Sequence, residues 1–228
     1  MGKTDIFLDR YRRLEDAVRQ RFGDGVSVPK LEDMGEFRRY ASKIKYCREL
    51  RNLLVHNPKL DGEWAAEVND GMLDFVDRIR LLVEKPPRVC ECALRVKDIM
   101  YSNLTANVVE VMHQMKERDI SKVPILDKGK VVGVFSHDSV FSRMLSDCHD
   151  ISPDTVFHDI LPELTIEGER AKWYHFAKWT EYKSKIEQIF DESNDRHVRI
   201  KIIFLTENGE RDEKLMGIVT PWELMDAE

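Results

Sequence analysis

No run of apolar residues in this 228-residue chain approaches the roughly 20 needed to span a bilayer. The stretch Met1–Arg13 is charged and lacks the apolar segment of a secretory signal. A cytoplasmic protein with no membrane partner is therefore expected. Cysteine is scarce: Cys47, Cys90, Cys92 and Cys148 are spread along the chain. The single C-x-C lacks the paired Cys or Cys/His spacing of a zinc site, so reduced thiols and no metal are expected. A nucleophile elbow, a Walker loop and a metal-ligand cluster are all missing, which leaves a metabolic enzyme little support. Positive charge is not in excess either. The formal net charge is −6, which excludes a strongly basic nucleic-acid protein.

That charge is unevenly spread. Residues 1–88 carry 18 Lys and Arg against 16 Asp and Glu, whereas residues 89–228 carry 18 against 26. A local basic strip lies at Glu36–Arg51, where Arg38, Arg39, Lys43, Lys45, Arg48 and Arg51 face only Glu36 and Glu49. A solvated helix face accounts for it on composition. At 42% hydrophobic and 34% charged, the chain can still bury a core.

Two hydrophobic periods divide the chain. In the first part apolar residues recur every three or four positions, as on one face of a helix. Phe7, Tyr11, Leu14 and Val18 mark a first helix, ended by Gly23 and Gly25. A second is expected over about Met34–Asn57, with Phe37, Tyr40, Ile44, Cys47, Leu50 and Leu54 on one stripe and Pro58 as its stop. A third is expected over about Glu67–Glu84. Lys85-Pro-Pro-Arg88 then reads as a linker, since Pro cannot continue a helix.

After Cys92 short strands alternate with helices. Val108–Arg118 and Ser136–Leu145 read as helices, with strands at Lys122–Leu126 and Lys130–Phe135 between them. The same order returns: a helix at Ser184–Glu192, strands at Val198–Leu205 and Lys214–Val219, and a helix from Pro221. The two copies lie about 84 residues apart, as an internal repeat should. The expected fold class is α+β: an all-α domain at 1–88, followed by α/β repeats at 89–150 and 151–228.

The repeat is best preserved where its last strand meets a helix, at Gly133-Val-Phe-Ser136-His-Asp-Ser139 and Gly217-Ile-Val-Thr220-Pro-Trp-Glu223. The chemistry suits a nucleotide. Gly lets a ligand approach the backbone, a hydroxyl at a helix N-terminus favours phosphate, and an acid one turn later accepts from a ribose diol. Thr220-Pro-Trp-Glu223 is also a capping box with Pro at the first helical position, which explains it with no ligand at all.

These motifs, in this order, resemble the CBS domain. Val96-Lys-Asp-Ile-Met100, Val123-Pro-Ile-Leu126 and Gly133-Val-Phe-Ser136 carry the likeness in the first copy. Lys214-Leu-Met-Gly-Ile-Val-Thr-Pro-Trp-Glu223 carries it in a divergent second. The resemblance implies a pseudo-symmetric pair that binds an adenosine compound between the copies: AMP, ADP, ATP or S-adenosylmethionine. It implies contacts from Gly133, Ser136 and Ser139 at one corner and from Gly217, Thr220 and Glu223 at the other. The family's corner ends in Asp. Here Ser139 takes that place with Asp138 one residue out of register, and Glu223 replaces it in the second copy, so the second corner is the better candidate. An insertion at Glu167–Tyr182 carries Trp173, Tyr174, Phe176 and Trp179, which either pack an extra strand on the core or stack on adenine.

The second helix of the first domain ends in Arg51-Asn52-Leu-Leu-Val-His56. Arg51 and His56 lie about 140° apart on such a helix, while Asn52 and His56 share a face. Guanidinium binds phosphate oxygens and imidazole moves protons near neutral pH, a set suited to metal-independent RNA cleavage. Arg and His at a helix C-terminus also simply satisfy free carbonyls. The motif resembles that of the HEPN superfamily, many of whose members are ribonucleases that dimerise through these helices. The resemblance implies a homodimeric endoribonuclease with Arg51, Asn52 and His56 at its site. The alternative is a non-catalytic sensor whose helical domain only dimerises or binds a partner.

Overall fold

The computed structural model describes residues 2–57, 59, 62–64, 66–145, 151–195 and 199–225. The chain forms two compact units, Met1–Pro87 and Arg88–Glu228.

The first unit is helical. Helix α1 (Lys3–Phe22) runs to Gly23, whose positive φ of 84° ends it. Helix α2 spans Ala41–His56 and α3 spans Asp70–Glu84. α2 begins later than its hydrophobic stripe suggests. The stretch before it, Gly35–Tyr40, is a 3₁₀ helix, preceded by another at Val28–Asp33. The tighter winding still turns Phe37 into the core, so the stripe persists although the α-helix does not. α3 starts at Asp70 rather than Glu67 because the Asn69 side chain accepts from the Met72 amide at 3.0 Å. Val68 just before that cap and Leu73 one turn after it are both buried. α1 packs along α3, and Phe7, Leu31, Phe37, Ile44, Leu54 and Ile79 fill the centre. Pro58, the expected stop of α2, lies outside the described residues.

The second unit opens with β1 (Leu94–Arg95) and β2 (Ser102–Asn103), then α4 (Val108–Glu117), β3 (Lys122–Asp127), β4 (Lys130–Ser136) and α5 (His137–Leu145). A short α6 (Leu161–Leu164) leads to β5 (Tyr174–Lys178), α7 (Lys183–Asp195), β6 (Ile202–Thr206), β7 (Gly217–Val219) and α8 (Pro221–Met225). The run β2-α4-β3-β4-α5 thus repeats as β5-α7-β6-β7-α8. In each copy the first strand lies parallel to the second and the second antiparallel to the third. The aromatic insertion supplies β5, the edge of a four-stranded sheet ordered β1-β7-β6-β5. The last strand is shorter than expected. Leu215 and Lys214 leave the β6–β7 ladder to meet the first copy's hairpin, Leu215 N–H donating to Gly129 O at 2.8 Å. The expected strand start at Val198 and the thiol of Cys148 lie outside the described residues.

The copies complete each other's cores. Phe157, Ile160 and Leu164, from the segment leading into the second copy, are buried with Val108, Val123 and Phe135 of the first. The Phe135 and Phe157 rings meet edge to face at 5.0 Å. In return Val89, ahead of the first copy, is buried with Ile186, Phe190, Ile203 and Val219 of the second. A third cluster, with Leu126, Val134, Phe204 and Ile218, joins the two sheets, and Tyr174 and Phe176 pack on the Phe204 ring.

Gly133 carries this exchange. A Cβ there would stand 2.8 Å from both Cβ and the carbonyl oxygen of Leu164. Gly133→Ala is expected to lower stability by about 1–3 kcal/mol through overpacking. Gly25→Ala, with nothing within 4 Å of the added carbon, should change it by no more than about 0.5 kcal/mol. Thermal denaturation of the two variants compares them directly, and equal melting points would refute the packing role of Gly133.

Candidate functional site

At the first corner, β4 hands directly over to α5. Ser136 and Ser139 are both buried. The Ser139 hydroxyl donates to Val134 O at 3.2 Å and accepts from the Ser136 amide at 3.3 Å. Ser139 is therefore a buried cap of the turn. Gly133, the third residue expected here, is filled from above by Leu164. At the second corner Glu223 turns back on its own helix start. Its Oε2 accepts from the Thr220 amide at 2.7 Å and from the Thr220 hydroxyl at 2.6 Å, closing the capping box. Gly217 admits the Leu94 carbonyl and the Trp179 ring, a Cβ there standing 2.8 Å from Trp179 Cζ3. Trp222, on the first turn of α8, is 71% exposed.

A charged cluster gathers at the first corner that the sequence motif does not contain. Asp138, on the first turn of α5, pairs with Lys201 at 2.8 Å. The Lys201 ammonium also lies 3.9 Å from the centre of the Trp173 ring, and its amide donates to Trp173 O at 2.7 Å. The hydrogen bond from Lys201 holds the Asp138 carboxyl below the usual carboxylate range, with Lys201 and Lys122 adding attraction. Burial, then the nearby Lys201, lowers the Lys122 ammonium. Arg170 donates to Ser142 Oγ at 2.7 Å and to the Glu163 carbonyl, tying the insertion to α5. Beside this cluster lies a cavity of about 680 Å³ lined by Trp173, Asn194, Arg199 and Lys201. A second cavity, of about 360 Å³, opens between α4 and α5, with Met112, Met115, Phe135, Ser136, His137 and Val140 on its walls. Both fall within the size range of small-molecule sites.

Of the inserted aromatics, Tyr174 and Phe176 pack into the join between the sheets and Trp179 against the second core. Burial raises the Tyr174 hydroxyl to about 12. Trp173 lines a cavity instead. Lys201 and Lys122 carried no signal in the sequence, because they lie at the entries of β6 and β3 rather than in the corner motif. Asp138 was visible as an acid out of register.

In the helical unit Arg51 pairs with Glu15 of α1 at 3.3 Å, and its guanidinium lies 5.9 Å from the Tyr11 ring. Its Nη1 donates to Asn52 Oδ1 at 3.4 Å. Asn52 and His56 are exposed. The same exposed side of α2 carries Tyr46 and Leu53, at 60% and 43% exposure. Arg51 thus faces α1 while His56 faces solvent.

Residues 94–146 match the family model of the CBS domain. The repeated topology extends that fold to the second copy, so the architecture is an N-terminal helical region followed by a CBS α/β domain pair. Among solved structures, CBSX2 in complex with AMP is 14% identical with a TM-score of 0.45, over 61% of this chain and 94% of that one. CbpB in complex with c-di-AMP is 15% identical with a TM-score of 0.46, over 62% and 83%. The CBS domains of a transcriptional regulator from Streptococcus pneumoniae are 13% identical with a TM-score of 0.42, over 61% and 98%. No protein of curated description matches this sequence significantly. Among the described residues no helix is long and apolar enough to cross a membrane, and no group of three or more His, Cys, Asp and Glu is placed to hold a metal.

The depressed carboxyl of Asp138 makes a signed prediction. A carboxylate held low in the folded state contributes stability above its ordinary pKa of about 3.9, which is lost as pH falls through the depressed value. Lys201→Met should move the Asp138 titration back up towards the ordinary range, as read by carboxyl-carbon NMR. An unchanged midpoint would refute the coupling.

Proposed function

We propose that the CBS pair binds an adenine nucleotide at the first corner, and that this ligand regulates the helical unit. The observation that supports it is Lys201, which spans Asp138 and the face of Trp173 at the wall of the 680 Å³ cavity. An aromatic face suits adenine, and Lys201 with Arg199 suits phosphate. The first turn of α5, from His137, adds helix-terminal amides that favour an anion. The second corner, Gly217, Thr220 and Glu223, is the weaker candidate, because Glu223 would first have to release the Thr220 hydroxyl to reach a ribose. AMP, ADP, ATP and S-adenosylmethionine all carry the required adenosine.

The proposal for the helical unit is a metal-independent endoribonuclease of HEPN type, acting as a homodimer on RNA. Arg51 would stabilise charge on the phosphorane, His56 would move the proton, and Asn52 would orient the phosphate. Exposed Tyr46 and Leu53 beside Asn52 and His56 favour a second copy covering this side of α2. The second reading, a sensor without catalysis, is favoured by a different observation: Arg51 is engaged by Glu15 on the side of the helix away from His56. One chain alone does not bring the two groups together.

Two measurements test these proposals. An adenine nucleotide at about 100 times its Kd should stabilise the protein by about 2.7 kcal/mol, visible as a raised Tm. Lys201→Ala with Trp173→Ala should abolish the shift, and Thr220→Ala with Glu223→Ala should leave most of it. Loss of the shift only in the second pair would move the site to the other corner. RNA cleavage, if present, should survive EDTA and leave 2′,3′-cyclic phosphate ends. DNA should stay intact, since the 2′-OH is the nucleophile. Cleavage that persists in His56→Ala would leave the non-catalytic reading in place.

A further inference from the structure

The cavity of about 360 Å³ between α4 and α5 has no part in the nucleotide proposal and shares no lining residue with the larger one. Its two ends differ. Between the helices its walls are apolar: Met112 and Met115 lie on one side of α4, Val140 lies in α5, and Phe135 comes from the end of β4. Met115 and Phe135 are buried, and the Phe135 ring is held by its edge-to-face contact with Phe157. Methionine walls adapt to the shape of a ligand and make favourable contacts with aromatic rings. The other end is charged. There α4 finishes in a left-handed cap, with Ile120 N–H donating to Met115 O at 2.9 Å across Asp119, whose φ is 54°. Glycine takes that conformation at less cost, yet the residue is an acid, and it lines the cavity with Lys116 and with His137 of α5. All three side chains are exposed, and among the described residues none of them has a hydrogen bond or an ion pair.

We propose that this cavity binds a free α-amino acid with an apolar side chain. The side chain lies between the helices, the carboxylate meets Lys116 and His137, and the ammonium meets Asp119. The head follows from charge. A ligand with only a carboxylate brings an anion to Asp119, and one with only an amine brings a cation to Lys116. A zwitterion answers both. The body follows from the walls: a polar side chain against Met112, Met115, Phe135 and Val140 would lose water and gain no partner. Volume sets the upper limit. At about 30 Å³ per water-sized atom the cavity takes about twelve non-hydrogen atoms, the size of phenylalanine. Leucine and methionine fall within that limit, whereas a docked helix does not. His137 is the chain neighbour of Asp138, so an occupant here holds the same helix start that faces Lys201. The proposal concerns a second ligand and stands whether or not a nucleotide binds at the first corner.

The test is isothermal titration calorimetry of the full-length protein with L-phenylalanine. Phenylpropionate, which lacks the ammonium, and phenethylamine, which lacks the carboxylate, are titrated beside it. L-Phenylalanine should bind at one site, and each truncated compound about 10-fold more weakly. Glycine, a head without a body, should not bind. Asp119→Asn keeps a residue type that tolerates the left-handed backbone; it should weaken L-phenylalanine about 10-fold without weakening phenylpropionate. Lys116→Met should weaken L-phenylalanine and phenylpropionate alike without weakening phenethylamine. Damage to the fold would not produce that crossed pattern. Met112→Trp, at a position 37% exposed, should fill the cavity and abolish binding of all three compounds. If it melts early, the crossed pattern decides. The proposal is overturned if L-phenylalanine, L-leucine and L-methionine give no binding heat up to about 10 mM, a Kd beyond which association is negligible. It is also overturned if the three phenyl compounds bind equally, or if Asp119→Asn leaves every affinity unchanged. Displacement of L-phenylalanine by AMP, with both weakened by Lys116→Met, would give the cavity to the nucleotide instead. L-Phenylalanine binding as expected with no rise in Tm from AMP would refute only the nucleotide reading.

Discussion

Neither CBS copy closes its own core. Each relies on an apolar segment that precedes its partner in the chain: Phe157, Ile160 and Leu164 fill the first copy, and Val89 fills the second. The reciprocal loan makes the pair a single folding unit, because removing either segment would leave buried Val and Phe side chains facing a cavity. It also sets the glycines. Gly133 and Gly217 look like ligand-facing residues in the sequence, yet in the fold they give room to Leu164 and to Leu94 with Trp179.

The same reciprocity brings the corner of one copy against the strand entry of the other. Asp138 belongs to the first copy, Lys201 and Trp173 to the second, and the ion pair crosses between them. A charge cluster of this kind answers to movement between copies more than to movement within either. An anion entering beside Lys201 would compete with Asp138 for the ammonium. It would thus act on the joint between copies directly.

Much of the fold was legible in the sequence. The change of hydrophobic period after Pro86-Pro87 and the return of a strand–helix corner 84 residues later were enough to outline the helical region and the repeat. What was illegible depended on distance. The 3₁₀ winding at Gly35–Tyr40 preserves the apolar stripe of a helix, so periodicity alone could not distinguish the two. The short β7 follows from Lys214 and Leu215 bonding to a turn some 85 residues earlier. Among site residues, the motif letters at Ser139 and Glu223 were readable. That both would be occupied by local hydrogen bonds was readable only for Glu223, through its capping box. Lys201 and Lys122 gave no sign, since nothing in their flanking sequence marks them as neighbours of Asp138. The basic strip was visible, but the ion pairs of Arg51 with Glu15 and of Arg48 with Glu32 join it to residues outside it and could not be read from its composition.

Synthesis from the N-terminus gives the borrowed core segments unequal histories. Val89 is already made when the second copy's strands emerge, so that core can close as soon as Val219 and Leu224 are in place. The first copy has its helices and strands complete by Leu145, yet its centre stays open until Leu164 has left the ribosome. At about 5–20 residues per second that interval is roughly 1–4 s. For those seconds Val108, Val123 and Phe135 lack their cover, a window in which a nascent chain is most exposed to chaperones and to its neighbours on the same message.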